Sequence, residues 1–378
     1  MKSLYPFNPD TQKKAKDYLY TGLEVSICKG IVLVSLAFLV LWLRLSIAAV
    51  NWIQRYAPEQ SLTLAILVVV GYGIFWLISL PFDYGRGYVL EHKFGMSTER
   101  KLGWIVDNVK ASLLSLLVAF AFVEGAYNFM WLSPAYWWFF TWLVSAVFIV
   151  FFMYATPVLI MPLFYKFPRL KDEELLNSLT KLADKARIRV LGVFEMKAGT
   201  KTRKAIAALT GIGGTRRMLI SDTFLSRFSK EETESAMGHE IGHHIYGHIW
   251  KFTVLFTGAF LVILFITDQT MPVDSQFFGM QNIDSVASLP LLALTIGLLY
   301  ALLTPLANTL SRRAEAQCDQ YTLELTQKPD VYISTMTKLC DENLRYAYPN
   351  SLVEFVFYDH PSGEKRIERA LNFKRAHA

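Results

Sequence analysis

Six stretches of about 20 mostly apolar residues recur along this chain, the length that a helix needs to cross a bilayer. They cover 31–50, broken only by Arg44; 62–82, without charge; 104–131, with Asp107, Lys110 and Glu124; 135–165, uncharged; 252–267, the shortest; and 286–310. Composition agrees, with 53% hydrophobic and 19% charged residues against roughly 25% charged in a soluble domain. Lys2, Lys13, Lys14 and Lys16 precede the first stretch, and Arg86, Lys93, Arg100 and Lys101 lie between the second and third. The connection near Ser133 has no Lys or Arg, and that near Asp274 is acidic; Arg55 alone departs from the alternation. The positive-inside rule then predicts six spans with both termini in the cytoplasm. The formal charge of +6 follows topology and membrane-surface attraction, so a nucleic-acid partner is not expected. No cleavable signal peptide is expected. Cys28, Cys318 and Cys340 form no CxxC or disulfide framework, and Cys318 reads as a buried structural thiol.

Between the fourth and fifth spans, 166–250 is a polar insert expected on the cytoplasmic side. Residues 170–187 have a helical charge pattern, while 188–196 and 205–221 are Val/Ile/Leu-rich with Gly punctuation and predict strands and a hairpin. Then comes His239-Glu240-Ile241-Gly242-His243. Residues four apart share a helix face, so His239 and His243 can offer two imidazoles to one metal ion. Glu240 is placed to act on an attacking water as general base, the H-E-x-x-H arrangement of zinc peptidases. Ser229 and Glu232 make a capping-box pattern that starts the helix. A plain amphipathic helix containing several histidines is the bland alternative.

A catalytic zinc needs a third protein ligand. A third His six residues after His243 would be the metzincin pattern, but Ile249 occupies that place and His248 falls one short. The fifth and sixth spans form a hairpin that returns the chain near Ser311, where Glu315 and Asp319 share a helix face. Glu315 is expected as third ligand and Asp319 as the carboxylate that orients a ligating His. A solvated charge cluster at a span end, with Arg312 and Arg313, is the alternative.

With both halves of the site in place, the chain resembles the type I CAAX prenyl endopeptidases, integral-membrane zinc proteases of gluzincin type. The resemblance extends from Leu80-Pro81-Phe82 and Tyr88 to Met96, through Asp107, Lys110 and Pro162 to Phe167, to the hairpin and Arg217 to Thr223. It continues through the His239 motif with His248, Ser311-Arg312-Arg313-Ala314-Glu315 with Asp319, and His360-Pro361 with Arg366. It implies a mainly α fold: a polytopic membrane helical barrel enclosing a chamber, with a small inserted cytoplasmic α/β zincin-type catalytic region. The expected divisions are 1–166 (four spans), 167–250 (protease segment), 251–310 (fifth and sixth spans) and 311–378 (C-terminal catalytic segment).

The resemblance also implies that His360, on its own merely one of seven histidines, stabilises an oxyanion or contacts substrate. Arg366 would support the site through a carboxylate. One Zn2+ per chain is expected, held by His239, His243 and Glu315. Two departures stand out. Six spans are found where the family has seven, the first being absent, which leaves chamber closure open. Ile206 stands where the family's substrate-binding strand has Asn before Ala207. Expected partners are the lipid bilayer and peptide or membrane-protein substrates, prenylated or not. The short loops suggest a bacterial inner membrane rather than endoplasmic reticulum. A transport or scaffold protein with a structural zinc is the competing class, since Arg44 and Glu124 could mark a solute path.

Overall fold

The computed structural model describes residues 5–280 and 282–377. Helix α1 (Pro9–Trp42) starts at Asn8, whose side chain accepts from the N–H groups of Asp10 and Thr11. It ends where Arg44 takes a left-handed φ of 55°, and the short α2 (Leu45–Ile53) follows. The first span is therefore α1, and the expected 31–50 is corrected. Polar residues from Asp10 to Lys29 continue the same helix upstream, and Arg44 breaks the apolar run that a hydropathy reading joins.

Helix α3 (Gln60–Tyr84) widens into a π-helical turn, Gly85–Leu90, and runs into α4 (Glu91–Lys93). Helices α5 (Lys101–Leu132) and α6 (Trp137–Ala155) complete the first half. The insert supplies α7 (Glu173–Lys185), β1 (Val193–Met196), β2 (Ala207–Thr210), β3 (Arg217–Ser221), α8 (Asp222–Leu225) and α9 (Lys230–Ile245). After it come α10 (His248–Phe277), α11 (Leu289–Thr326), α12 (Pro329–Glu342), α13 (Ser351–Phe357) and α14 (Gly363–Ala376). The fifth span is longer than the expected 252–267, because polar residues continue the helix; Asp268, for one, accepts from Trp137 Nε1 at 2.6 Å.

Six of the described helices are long and apolar enough to cross a membrane. In chain order α1, α3, α5, α6, α10 and α11 each pack on the next, and α11 returns to α1, so six helices close the circuit. Their apolar windows are only 6–28% buried, too little for helices packed around a filled centre, so the closed circuit surrounds a hollow. All six contribute to a plug at one end, through Leu41, Leu64, Tyr127, Trp137, Met271 and Leu292. At the other end sits the inserted α/β region.

Its sheet has the order β1-β3-β2, with β1 parallel and β2 antiparallel to β3. Met218 and Ile220 pack with Leu179, Phe224, Met237 and Ile241 in one core, which fixes α7 and α9 against the sheet. Strands β1 and β2 are the edges; the segment 166–170 pairs along β1, with the Leu170 N–H donating to Val193 O at 3.0 Å, so β2 is the open edge.

Candidate active site

The motif helix α9 begins as its sequence predicts. Ser229 Oγ accepts from the Glu232 N–H at 3.2 Å, and Glu232 Oε2 accepts from the Ser229 N–H at 2.8 Å. Along its length α9 lies against α11, with Gly238 and Gly242 at the contact. A Cβ at Gly242 would stand 3.1 Å from Cys318 Cα, and one at Gly238 3.3 Å from Thr322 Cγ2. Two glycines four apart thus let the helices approach closely enough for their polar side chains to meet.

What meets there is the expected donor set. His239 Nε2 stands 3.0 Å from Glu315 Oε2 and His243 Nε2 3.2 Å from Glu315 Oε1. Glu315 Oε2 is buried yet has no hydrogen-bond partner. A buried carboxylate oxygen without a partner is costly, and here it faces imidazole nitrogens whose lone pairs can share a cation with it. One donor atom from each of the three residues falls within 4.8 Å of the others. Two imidazoles and a carboxylate are the donors a catalytic zinc takes, so these residues fit that ion.

The surroundings fix these side chains. His239 Nδ1 is 3.0 Å from Asp319 Oδ1, so it can donate to the carboxylate and leave Nε2 free. Asp319 is fully buried; Arg366 donates to it from Nε at 3.2 and 3.1 Å and from a terminal nitrogen at 2.5 Å. Arg369 adds a bond of 2.9 Å. Burial disfavours charge on His239, but the Asp319 and Glu315 carboxylates outweigh it and raise its pKa to about 9. His360 enters from the loop before α14, with Nε2 3.4 Å from Glu315 Oε2 and Nδ1 2.7 Å from Asp359 Oδ1. Glu240 is partly exposed and has no hydrogen-bond partner among the described residues.

Three residues that buttress the donor set escaped sequence reasoning. Arg369 lies three positions past Arg366, on the same face of α14. Arg312, expected only as a charge at a span end, donates to the carbonyls of Glu354 (2.8 Å) and Tyr358 (2.6 Å) and so holds the loop that carries His360. Asp359 orients His360 from the adjacent position. Adjacency and i,i+3 spacing are visible in the sequence, but nothing there says which neighbours point inward.

The edge of β2 has its own accounting. Ile206 O accepts from the Ser221 N–H at 2.8 Å, so residues of even number face β3. Residues 205, 207 and 209 face away. The Asn343 carboxamide grips Ala205 N and O at 2.8 and 3.0 Å, and His244 Nε2 donates to Leu209 O at 3.0 Å. Between these, Ala207 keeps an open N–H and C=O. The Ile206 departure leaves its own backbone satisfied, since its N–H donates to Ser221 Oγ at 2.9 Å.

A closed ring of membrane helices capped by a helix bearing His and Glu donors defines an integral-membrane metallopeptidase. Comparison with known proteins gives the family. The model for peptidase family M48 matches residues 169–374, and the CAAX prenyl protease N-terminal model, described by five membrane helices, matches 5–166. The chain belongs to peptidase family M48 and is a membrane zinc metalloendopeptidase related to the CAAX prenyl proteases. It is 31% identical over 327 residues to the uncharacterized metalloprotease YhfN of Bacillus subtilis, covering 85% of this chain and 76% of that one. It is 29% identical over 315 residues to CAAX prenyl protease 1 of Saccharomyces cerevisiae, covering 77% of this chain and 68% of the relative. In fold it is similar to the crystal structure of Ste24p from S. mikatae, with TM-score 0.86 and 20% identity over 98% of this chain and 92% of the other. Membership selects the hydrolase over the transport or scaffold alternative.

Proposed function

We propose that the chain holds one zinc ion through His239, His243 and Glu315 and hydrolyses peptide bonds in extended segments of membrane-tethered substrates, from the cytoplasmic side. The observation that carries this reading is the convergence of two imidazole Nε2 atoms on the two oxygens of the buried Glu315 carboxylate, one of which, Oε2, is unpartnered. Zinc, when bound, supplies a Lewis acid that brings the pKa of a water towards about 7 and polarises a carbonyl. Glu240, one residue past a ligand and unpartnered, takes the proton of the attacking water on its carboxylate and hands it to the leaving amine. His360 offers Nε2 at the rim, oriented by Asp359, where it can donate to the oxyanion; such a donor is typically worth about 3 kcal/mol. Arg366 and Arg369 hold Asp319, and Asp319 holds the His239 ring.

Substrate binds as an added strand on β2. Asn343 and His244 occupy the edge on either side, so main-chain pairing centres on Ala207 and the bound stretch is short. That geometry suits a peptide held mainly by something outside the strand, namely its membrane anchor in the hollow ring. The anchor is either a prenyl chain, as the name of the yeast relative suggests, or a transmembrane helix of a protein under quality control.

The test uses zinc-loaded, detergent-purified protein with a farnesylated CAAX peptide, its unprenylated twin and a chelator control. Chelator-sensitive cutting of the farnesylated peptide alone selects the prenyl anchor. Equal cutting of both selects general membrane-protein proteolysis. Glu240→Gln should keep zinc and lose turnover; loss of zinc in that variant would sink its assignment as base.

A further inference from the structure

We infer that His248, backed by Gln317, is a positioning residue that decides which ring nitrogen of His243 is free for the metal. The inference rests on the proposal above that His243 is a ligand. His239 has a carboxylate to accept its Nδ1–H, but His243 has none. Its Nδ1 instead stands 3.2 Å from Nδ1 of His248, a ring that is 4% exposed. Two ring nitrogens this close make one hydrogen bond, so one carries the proton and the other a lone pair.

The far side of His248 sets the sense. Its Nε2 faces Gln317 Oε1 at 3.0 Å, and a carboxamide oxygen only accepts. His248 Nε2 therefore carries a proton, its Nδ1 has the lone pair, and His243 Nδ1 must donate to it. Nε2 of His243 is then bare, and it is the nitrogen that faces Glu315 Oε1. With the opposite sense, Nε2 of His243 would carry a proton and could not ligate.

Elements three helices apart in function meet in this relay: α9 carries the ligand, the first turn of α10 carries His248, and α11 carries Gln317 two residues past Glu315. Cys318 Sγ also lies 3.5 Å from His248 Nδ1, and His243, His248 and Cys318 together have metal-ligand spacing. A second ion there would need His243 to serve two metals through both nitrogens as an imidazolate. The relay needs only neutral rings.

The experiment measures zinc affinity of the full chain in detergent by competition with a chromophoric chelator, with metal stoichiometry and peptidase kinetics alongside. His248→Phe keeps the ring size and removes the acceptor; affinity should fall about 10- to 100-fold, as for other partners of metal-bound His. His248→Asn places a carboxamide oxygen near the lost Nδ1 and should restore most of it. Gln317 is exposed, so its variants should fold: Gln317→Met should weaken zinc binding, whereas Gln317→Glu should not. Cys318→Ala should leave affinity unchanged.

Unaltered affinity in His248→Phe, or His248→Asn as weak as His248→Phe, would overturn the relay. Two zinc ions per chain, one lost in Cys318→Ala, would replace it with a second metal site. Wild-type affinity in His243→Ala would instead remove the ligand assignment on which the relay stands.

Discussion

Asp319 touches three groups from a fully buried position, accepting from His239 on one side and from Arg366 and Arg369 on the other. Asp319→Asn keeps the shape but strands two guanidinium groups and weakens the acceptor for His239. Zinc affinity should fall about 10- to 100-fold, with a stability loss of about 3–5 kcal/mol for breaking a buried pair; chelator competition and thermal melting read the two separately. On the proposed ligand set, His239 makes metal uptake depend on pH. With its pKa raised to about 9 in the metal-free site, it holds a proton at neutral pH that zinc must expel. Apparent affinity should therefore climb as pH rises towards about 9, with proton release visible by calorimetry in buffers of different ionisation enthalpy. The same shift stabilises the metal-free fold below the ordinary His range, and that contribution is lost as pH rises through about 9.

At the scale of elements, the close pairing of α9 and α11 sets how well the ligands converge. Gly242→Ala places a methyl 3.1–3.2 Å from the Cα, Cβ and Sγ atoms of Cys318, and one of those atoms is backbone. The helices must part by a few tenths of an ångström, so peptidase activity should drop more than the melting temperature does. Glu232 anchors the other end of α9: it caps the helix and accepts from Ser334 at 2.6 Å and Lys338 at 2.8 Å on α12. Burial would raise its pKa, but these bonds and the Ser229 N–H hold it below the usual carboxylate range. Its stabilisation is thus present above about pH 4 and lost on acidification. Glu232→Ala should cost about 1–2 kcal/mol, and the difference from wild type should shrink at low pH.

These elements also show what was legible beforehand. The capping box, the hairpin and the i,i+4 pairs His239/His243 and Glu315/Asp319 are local periodic signals, and each was readable. The first span was misplaced because a left-handed Arg44 interrupts no hydropathy window. The roles of Asn343 and Arg312 were invisible because they arise only when distant segments meet. Ring closure was equally unreadable, since it depends on α1 meeting α11.

For the whole molecule, the start of α1 is pinned to the C-terminal segment. Gln12 donates to Asp341 at 2.8 Å and accepts from the Ala347 N–H at 2.8 Å. Gln12→Ala leaves that buried N–H unpaired, and should lower stability by about 1–3 kcal/mol in thermal unfolding without touching the site. The proposed zinc ligands, meanwhile, are divided between a helix of the α/β region and α11, which is also one of the six spans. A span longer than the surrounding hydrocarbon tilts to fit it, at a fraction of a kcal/mol per ångström of mismatch. Tilting α11 moves Glu315 relative to His239 and His243. Turnover in vesicles of graded acyl-chain length should therefore peak at one bilayer thickness and fall on either side, making lipid composition itself a setting of this enzyme's rate.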